Sequence, residues 1–108
     1  MTDMYNSRAE IREAILLTIG TFRSGSMSIH ELATRMDIGL TMLSDMEPNW
    51  LASARQKWSA IEEVNAVTLD SPDRKLSREN MRIALKAADE LERLVRDVAC
   101  DAPEEQNY

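Results

Sequence analysis

The segment Ser24-Gly25-Ser26-Met27-Ser28-Ile29-His30-Glu31-Leu32 contains a helix end followed at once by a helix start. Gly25 suits the left-handed backbone position that closes many helices. Ser28-Ile29-His30-Glu31 has the capping-box pattern S-x-x-E, in which the serine side chain accepts from the backbone N–H three residues later and the glutamate reaches back. The same pattern occurs at Ser7-Arg8-Ala9-Glu10. Both boxes open apolar runs at helical spacing, so two helices are predicted.

The first two predicted helices each carry one apolar stripe. We expect helix 1 over Arg8 to Ser24 and helix 2 over Ile29 to Met46, because apolar residues recur there every three to four positions. The stripes consist of Ile11, Ile15, Ile19 and Phe22 in helix 1, and of Ile29, Leu32, Met36, Leu40 and Leu43 in helix 2. Gly39 weakens helix 2 by about 1 kcal/mol relative to alanine, so the sequence allows a break at Asp37–Gly39.

Two further helices are predicted after Glu47-Pro48-Asn49. Proline disfavours helix in the residue before it and asparagine is a good N-cap, so helix 3 is expected to follow Asn49, from Trp50 to about Leu69. Ser77 is the expected N-cap of helix 4, which runs to about Ala99. The core-facing stripes are Leu51, Ala54, Trp58, Ile61, Asn65 and Thr68 in helix 3, and Met81, Ala84, Ala88, Leu91, Val95 and Val98 in helix 4.

These elements predict an all-α fold. Four amphipathic helices with short connections bury their stripes most simply as an antiparallel four-helix bundle. A chain of 108 residues with three glycines and three prolines fits one such domain, over 1–100. The segment 101–108 has three acidic residues and no basic one, and we predict a disordered acidic tail there.

Composition restricts the compartment and the class of partner. The single cysteine cannot form an internal disulfide, which favours a reducing compartment. We recognise no signal-peptide pattern and no apolar run near the ~20 residues of a membrane span, so a cytoplasmic location without membrane contact is expected. The net charge of −6 disfavours nonspecific nucleic-acid binding and favours basic partners.

No residue pattern in the sequence predicts catalysis or metal binding. His30 is the single histidine, and without a second ligand at suitable spacing we expect it to be an exposed helix residue. Cys100 follows helix 4 beside Asp101, an anionic setting that keeps a thiol unreactive. Glu62 and Glu63 are adjacent on a helix, so their carboxylates diverge and cannot act together as an acid–base pair. We expect no enzyme activity, no metal and no cofactor.

Helix 2 contains the best candidate for a binding site. When its core stripe is placed inward, Ile38 and Met42 fall on the opposite face, with Glu31 and Asp45 as neighbours. An apolar pair rimmed by carboxylates is typical of a partner site, whereas a loop or a distortion at Gly39 would cover the pair equally well. The predicted partner-binding residues are Asp37, Ile38, Met42, Asp45 and Glu47, with Asp70 and Asp73 as a second location between helices 3 and 4.

Helix 3 carries both tryptophans, Trp50 and Trp58. Their spacing of eight residues places them close to one helix face. We expect both to be large core residues, and the alternative is that one is exposed as an anchor for a partner.

Residues 31–47 also resemble the core of a repressor-type helix-turn-helix. The start Glu31-Leu32-Ala33, a turn at Asp37 and the pair Leu43-Ser44 fall in its register. Residues 39–46 would then form the recognition helix, but they contain no Arg, Lys, Asn or Gln, which are the residues that read bases. The sequence therefore argues against nucleic-acid binding and leaves a degenerate helix-turn-helix open.

Three segments share a pattern with a known class of proteins. They are Phe22–Leu32, with an aromatic residue, a short glycine turn and the S-x-x-E-L opening; Trp58–Ala66; and Leu76-Ser77 at the start of the last helix. Over about residues 10–98 the chain resembles the small acidic helical immunity proteins of bacterial toxin systems, of the colicin D immunity and contact-dependent-inhibition immunity type. The methionine-rich helix 2 departs from that pattern, and no inhibitory residue is transferred by motif.

The resemblance implies a protein that binds a toxin's catalytic domain, often a basic nuclease, inside the producing bacterial cell. Binding would occlude the basic active site without any turnover. Two other functions stay open on the sequence: a transcriptional or phage-encoded regulator with a helix-turn-helix-like core, and a structural bundle that dimerises through helix 4. A toxin gene immediately upstream would favour immunity, and a divergent promoter would favour regulation.

Overall fold

The computed structural model of the protein describes residues 8–73 and 75–98. Within these ranges the chain forms four helices and no strand, which confirms the predicted all-α class. The helices are α1 (Arg8–Arg23), α2 (Ile29–Met42), α3 (Pro48–Asp70) and α4 (Arg78–Arg96). Each helix packs against two others, α1 on α2, α2 on α3, α3 on α4 and α4 on α1, as in a helix bundle.

The connection between α1 and α2 confirms the helix end and the helix start predicted there. Gly25 has a φ of 87°, and the backbone N–H groups of Gly25 and Ser26 donate to Phe22 and Thr21 at 3.0 and 3.1 Å. These two bonds satisfy carbonyls that the end of α1 leaves open. The Ser28 hydroxyl accepts from the backbone N–H of Glu31 at 3.0 Å.

Only half of the Ser28 capping box has the predicted hydrogen bond. The carboxylate of Glu31 binds Arg35, one turn later on α2, at 2.9 Å. A charged partner at i+4 competes with the backbone N–H for the same carboxylate. The serine of the first box, Ser7, lies outside the described residues, as do Cys100 and the tail 101–108.

The predicted boundaries of helices 2 and 3 need correction. α2 ends at Met42 instead of Met46, because the chain turns at Leu43, which is fully buried. α3 begins at Pro48, so Glu47 occupies the N-cap position and the predicted Asn49 N-cap is wrong. Proline suits the first helical position, since its missing N–H would have no helical partner there.

α2 continues without a break through the region of Gly39. The expected interruption at Asp37–Gly39 is therefore not observed, and neither is the turn that a helix-turn-helix requires at Asp37. A β-carbon added at Gly39 would lie 2.7 Å from Cγ1 of Ile15 in α1. The glycine thus serves a close approach of α1 and α2 rather than a helix end.

The four stripes meet in one core, with Ile19, Leu32, Leu40, Ile61 and Leu91 among its most buried members. The predicted core tryptophans, Trp50 and Trp58, are half-buried and pack against this core. Their ring N–H groups donate to backbone carbonyls of other helices, Trp50 to Leu94 at 3.1 Å and Trp58 to Ala33 at 2.8 Å. Each tryptophan therefore fastens α3 to a different neighbour. The N-cap predicted for the last helix is also confirmed, since the Ser77 hydroxyl accepts from the Asn80 N–H at 3.0 Å.

Candidate partner-binding surfaces

Ile38 and Met42 are exposed, as predicted, but they belong to a groove between two helices. The groove has a volume of about 210 Å³, and Gly39 brings its two walls close together. We call it the α1–α2 groove. It is lined by Glu10, Ala14 and Thr18 of α1, and by Arg35, Ile38 and Met42 of α2.

The acidic residues predicted beside this apolar pair are neutralised within the protein. Asp37 binds Arg55 of α3 at 2.8 Å, and Asp45 binds Arg8 of α1 at 3.0 Å. Arg55 also lies over the ring of Trp58, 5.1 Å from its centroid. An exposed carboxylate already paired with an arginine adds little to the attraction of a distant cation. Asp37 and Asp45 therefore act as links between helices.

Glu47 is exposed at the start of α3 and has no ion pair among the described residues. A negative charge at this position stabilises the helix, because the N-terminal N–H groups carry partial positive charge. Asp70 closes the same helix of 23 residues, about 35 Å away at 1.5 Å per residue. The two predicted locations therefore cannot form one small contact.

A different set of carboxylates has no ion pair among the described residues. It consists of Glu62, Glu63 and Asp70 on α3, and of Asp73 in the following connection. Val67 and Leu69, between these acids in sequence, are exposed apolar residues. We call these four acids, together with the two apolar residues, the α3 acidic surface: Glu62, Glu63, Val67, Leu69, Asp70 and Asp73.

Local hydrogen bonds organise the end of this surface. The carboxylate of Asp73 accepts from the backbone N–H of Lys75 at 3.1 Å and from the Ser71 hydroxyl at 2.9 Å. These bonds lower the pKa of Asp73 below its ordinary value, and the bond from the Lys75 N–H has the larger effect. Asp73 is thus held in a fixed position in its charged form.

The α3 acidic surface also borders basic side chains of α4. Glu63 and Lys86 both line an open groove of about 560 Å³ between α3 and α4. Lys57, on the same groove, is paired with Glu90 at 3.5 Å. Glu63 has no such contact, so it stays available at the rim.

On α4, by contrast, the acids facing α1 are neutralised. Arg23, at the end of α1, donates to Asp89 at 2.6 Å and to Glu92 at 2.7 Å. Arg96 reaches Glu92 as well, at 2.8 Å. The hydrogen bond from Arg23, and after it the one from Arg96, lowers the pKa of Glu92. In turn, the hydrogen bonds to Glu92 and Asp89 raise the pKa of Arg23. This cluster fastens α1 to α4.

His30 is exposed, as predicted, and lies beside α3. Its Nδ1 atom is 3.3 Å from the side-chain amide nitrogen of Asn65, which is buried. The contact gives a polar partner to an amide at the α2–α3 interface. Among the described residues there is no group of three or more His, Cys, Asp or Glu side chains placed to hold a metal ion.

Sequence reasoning missed the α1 wall of the groove and the identity of the unpaired acids. Leu17 is the most exposed large apolar side chain of the described residues, and it directly precedes Thr18, which lines the groove. Its position outside the stripe of helix 1 is a signal that could have indicated the groove. The pairing of Asp37 and Asp45 has no local signal, because their arginines are 18 and 37 residues away in sequence.

No known protein family matches the chain, and neither the curated proteins nor the solved structures contain a match to it. Of the helices in residues 8–73 and 75–98, none is long and apolar enough to cross a membrane.

Proposed function

We propose that this protein is an immunity protein that binds a cognate bacterial toxin domain. The α3 acidic surface would contact the basic active site of that domain. One observation carries the proposal: four carboxylates, Glu62, Glu63, Asp70 and Asp73, have no ion pair among the described residues. Most acids of the other helices are bound to arginine or lysine. A group of acids without ion pairs among the described residues is what a basic partner would recognise.

The location of Asp70 supports a binding role because a negative charge there disfavours the helix. The end of an α-helix carries partial negative charge, so acids near it are unfavourable and bases are favourable. α3 has no basic residue in its last turn, and Asp70 is its last residue. Residues that oppose a local rule are expected at functional sites.

The exposed apolar residues on this surface would slow the release of a bound partner, which exposed charges do little to change. Val67 and Leu69 lie within the same stretch of α3 as the acids. Charged groups steer association, whereas apolar contacts at the centre of an interface mainly slow release. The combination fits a stable complex with a basic protein surface.

The proposed mechanism is occlusion of a nuclease active site in the bacterial cytoplasm. Carboxylates of the α3 acidic surface would occupy the positions of substrate phosphates and contact the basic residues that bind them. Opposite charges would accelerate encounter by an order of magnitude or more. The bundle that presents this surface is proposed to be antiparallel, as its short connections favour.

The test uses the purified product of the neighbouring gene as the candidate toxin domain, with association and release measured in a biosensor. Glu63→Lys/Asp70→Lys is expected to slow association about ten-fold at low salt and less as salt rises. The matched control is Glu13→Lys/Glu79→Lys, which changes the net charge equally. Its acids lie on α1 and α4 and have long contacts of 3.4 and 3.7 Å with Arg12 and Arg82.

Equal slowing by both double variants would contradict the assigned surface, because it would leave only net charge as the cause. Failure of the toxin domain to bind would contradict the immunity function itself. Tight, sequence-specific binding to duplex DNA would instead favour a transcriptional regulator. A regulator of the helix-turn-helix type needs a turn at Asp37, and α2 is a continuous helix there.

A further inference from the structure

Asn65 of α3 is a buried amide of which one end has a partner and the other has none. Its side chain is 6% exposed. The amide nitrogen lies 3.3 Å from Nδ1 of His30 in α2, whereas the amide oxygen is buried without a hydrogen-bond partner among the described residues. A buried polar atom without a partner is costly, so its presence needs a physical reason.

The contact determines where neutral His30 carries its ring proton. The amide nitrogen of Asn65 only donates, so Nδ1 of His30 accepts and the ring proton lies on Nε2. When the ring takes up a second proton, both of its nitrogens become donors. Nδ1 then needs an acceptor, and the atom of Asn65 that lacks a partner is one.

Turning the amide over meets this need. The oxygen of Asn65 takes the place of the nitrogen and accepts from Nδ1 of His30, in a charge-assisted bond that is stronger than the neutral one. One end of the amide is buried without a partner in either orientation, so that cost is similar in both. The protonation state of His30 therefore decides which way the amide faces.

The charged groups of the neighbouring helices define the surroundings of a protonated His30. Arg23, at the end of α1, is bound to acids of α4, and Glu31, next in α2, is bound to an arginine one turn later. Glu62 of α3 has no ion pair among the described residues. The first N–H groups of α2 oppose a positive charge at this position, whereas the carboxylate of Glu62 attracts it.

His30 also borders the α3 acidic surface. Asn65 is flanked on its own helix face by Glu62, three residues before it, and by Leu69, four residues after it. Both flanking residues are exposed and belong to that surface. Because the exposed ring of His30 contacts Asn65 between them, a charge on the ring adds to the charge of the surface.

We propose that His30 and Asn65 form a proton-operated switch at the border of the α3 acidic surface. With neutral His30, the amide nitrogen donates to Nδ1 and the surface keeps its full negative charge. With protonated His30, Nδ1 donates to the turned amide oxygen and a positive charge stands beside Glu62. The consequence for binding rests on the proposed function: capture of a basic toxin domain slows as His30 takes up its proton.

The switch is tested on the protein alone, by NMR as a function of pH. Nitrogen chemical shifts of the imidazole report its proton positions, and neutral His30 is expected to carry its proton on Nε2. The amide protons of Asn65 should then give strong NOEs to Hε1 of His30, which weaken on protonation as the amide turns. Asn49 is the internal control: it lies about 24 Å away along α3, and its amide should not follow the titration.

The variant Asn65→Asp removes the need for a turn. A carboxylate only accepts, so neutral His30 should carry its proton on Nδ1 in this variant instead of on Nε2. A purely structural role of Asn65 would leave the proton position unchanged. Circular dichroism checks that the helices persist, and the wild-type spectra decide the switch by themselves if the variant unfolds.

The effect on binding is measured in a biosensor with the product of the neighbouring gene. His30→Lys carries a permanent charge and should slow association roughly two-fold at low salt. His30→Gln should remove the slowing that the wild type shows as the pH falls from about 8 to about 5, the range in which imidazole takes up a proton. Ser44→Lys is the matched control, since it adds the same charge to an exposed residue beyond the far end of α2.

Two NMR results would overturn the switch. One is a neutral His30 with its proton on Nδ1, and the other is an Asn65 amide whose NOEs to the ring stay the same throughout the titration. Equal slowing by His30→Lys and Ser44→Lys would refute an effect of the switch on the α3 acidic surface. If the neighbouring gene product does not bind at all, the proposed function fails, and the NMR results still decide the switch.

Discussion

The α1–α2 groove and the α3 acidic surface use acidic and apolar residues in opposite ways. Around the groove, Asp37 and Asp45 are bound by arginines of neighbouring helices, and the apolar side chains line a cavity. On the α3 acidic surface, Asp70 and its neighbours have no ion pair among the described residues. One face is electrically balanced, and the other is not.

The difference shows that net charge does not locate an interface. The chain has 19 acidic residues, and several of those that flank apolar positions in sequence serve to hold helices together. What distinguishes the acids of the α3 acidic surface is that, within residues 8–73 and 75–98, they form no ion pair with an arginine. Each of the following predictions tests whether the two faces differ in the way described.

The largest effect is expected at Trp58, which fastens α2 to α3 and so joins the two faces. Trp58→Ala should lower the free energy of unfolding by about 3 kcal/mol, since it removes a large ring packed on the core and a hydrogen bond to Ala33. Trp58→Phe keeps the ring packing and should cost about 1 kcal/mol. Urea unfolding measures both. A near-neutral Trp58→Ala would mean that the two faces are not held together by this contact.

The next effect separates two glycines in helices. Gly39→Ala should destabilise the protein by about 1 kcal/mol, because the clash of its β-carbon with Ile15, 2.7 Å away, outweighs the better helix propensity. Gly20 has no atom within 4 Å of an added β-carbon, so Gly20→Ala should stabilise by about 0.5–1 kcal/mol. Thermal unfolding distinguishes the signs. Stabilisation by both substitutions would show that α1 and α2 do not approach closely at the groove.

A smaller effect concerns the pH dependence of the ion pairs that Arg23 of α1 forms with Asp89 and Glu92 of α4. The bond from Arg23 lowers the pKa of Glu92, so its stabilisation is complete above the ordinary carboxyl pKa and is lost as the pH falls through the lowered pKa. Glu92→Gln should therefore destabilise by up to about 1 kcal/mol at neutral pH and by less in acid. Glu62→Gln, on the α3 acidic surface, should change stability little at either pH. A pH-independent cost for Glu92→Gln would argue against the ion pair as its cause.

The smallest effects have opposite signs on the two faces. Asp70→Asn removes an acid from the end of α3 and should stabilise by about 0.3–0.5 kcal/mol. Asp37→Asn breaks the 2.8 Å ion pair with Arg55 and should destabilise by about 0.5 kcal/mol. Paired chemical denaturation at low salt measures both changes. Destabilisation by Asp70→Asn would remove the argument that this acid is kept for binding.

Local patterns predicted the helices well. Ser28, Gly25 and Ser77 act as expected because caps and turns depend on residues close in sequence. The end of α2 was predicted too late because the burial of Leu43 in a turn is decided by the other helices. Likewise, the close approach of Ile15 that leaves no room for a β-carbon at Gly39 comes from α1, so the sequence of helix 2 does not indicate it.

The sequence predicted only some features of the candidate site. The exposure of Ile38 and Met42 followed from the stripe of helix 2 and is confirmed. Their position in a groove required knowledge of which helix packs beside α2. The charge state of the surroundings depended on distant arginines, so Asp37 looked as available in sequence as Asp70.

The two tryptophans allow the separation of the helices during unfolding to be followed by intrinsic fluorescence. Both lie on α3, but Trp50 donates to Leu94 of α4 and Trp58 donates to Ala33 of α2. Since an indole changes its emission when water reaches it, each ring reports the separation of one helix pair. A Trp50→Phe variant therefore follows α2 leaving α3, and Trp58→Phe follows α4. Comparing their stopped-flow traces gives the order in which the helices come apart.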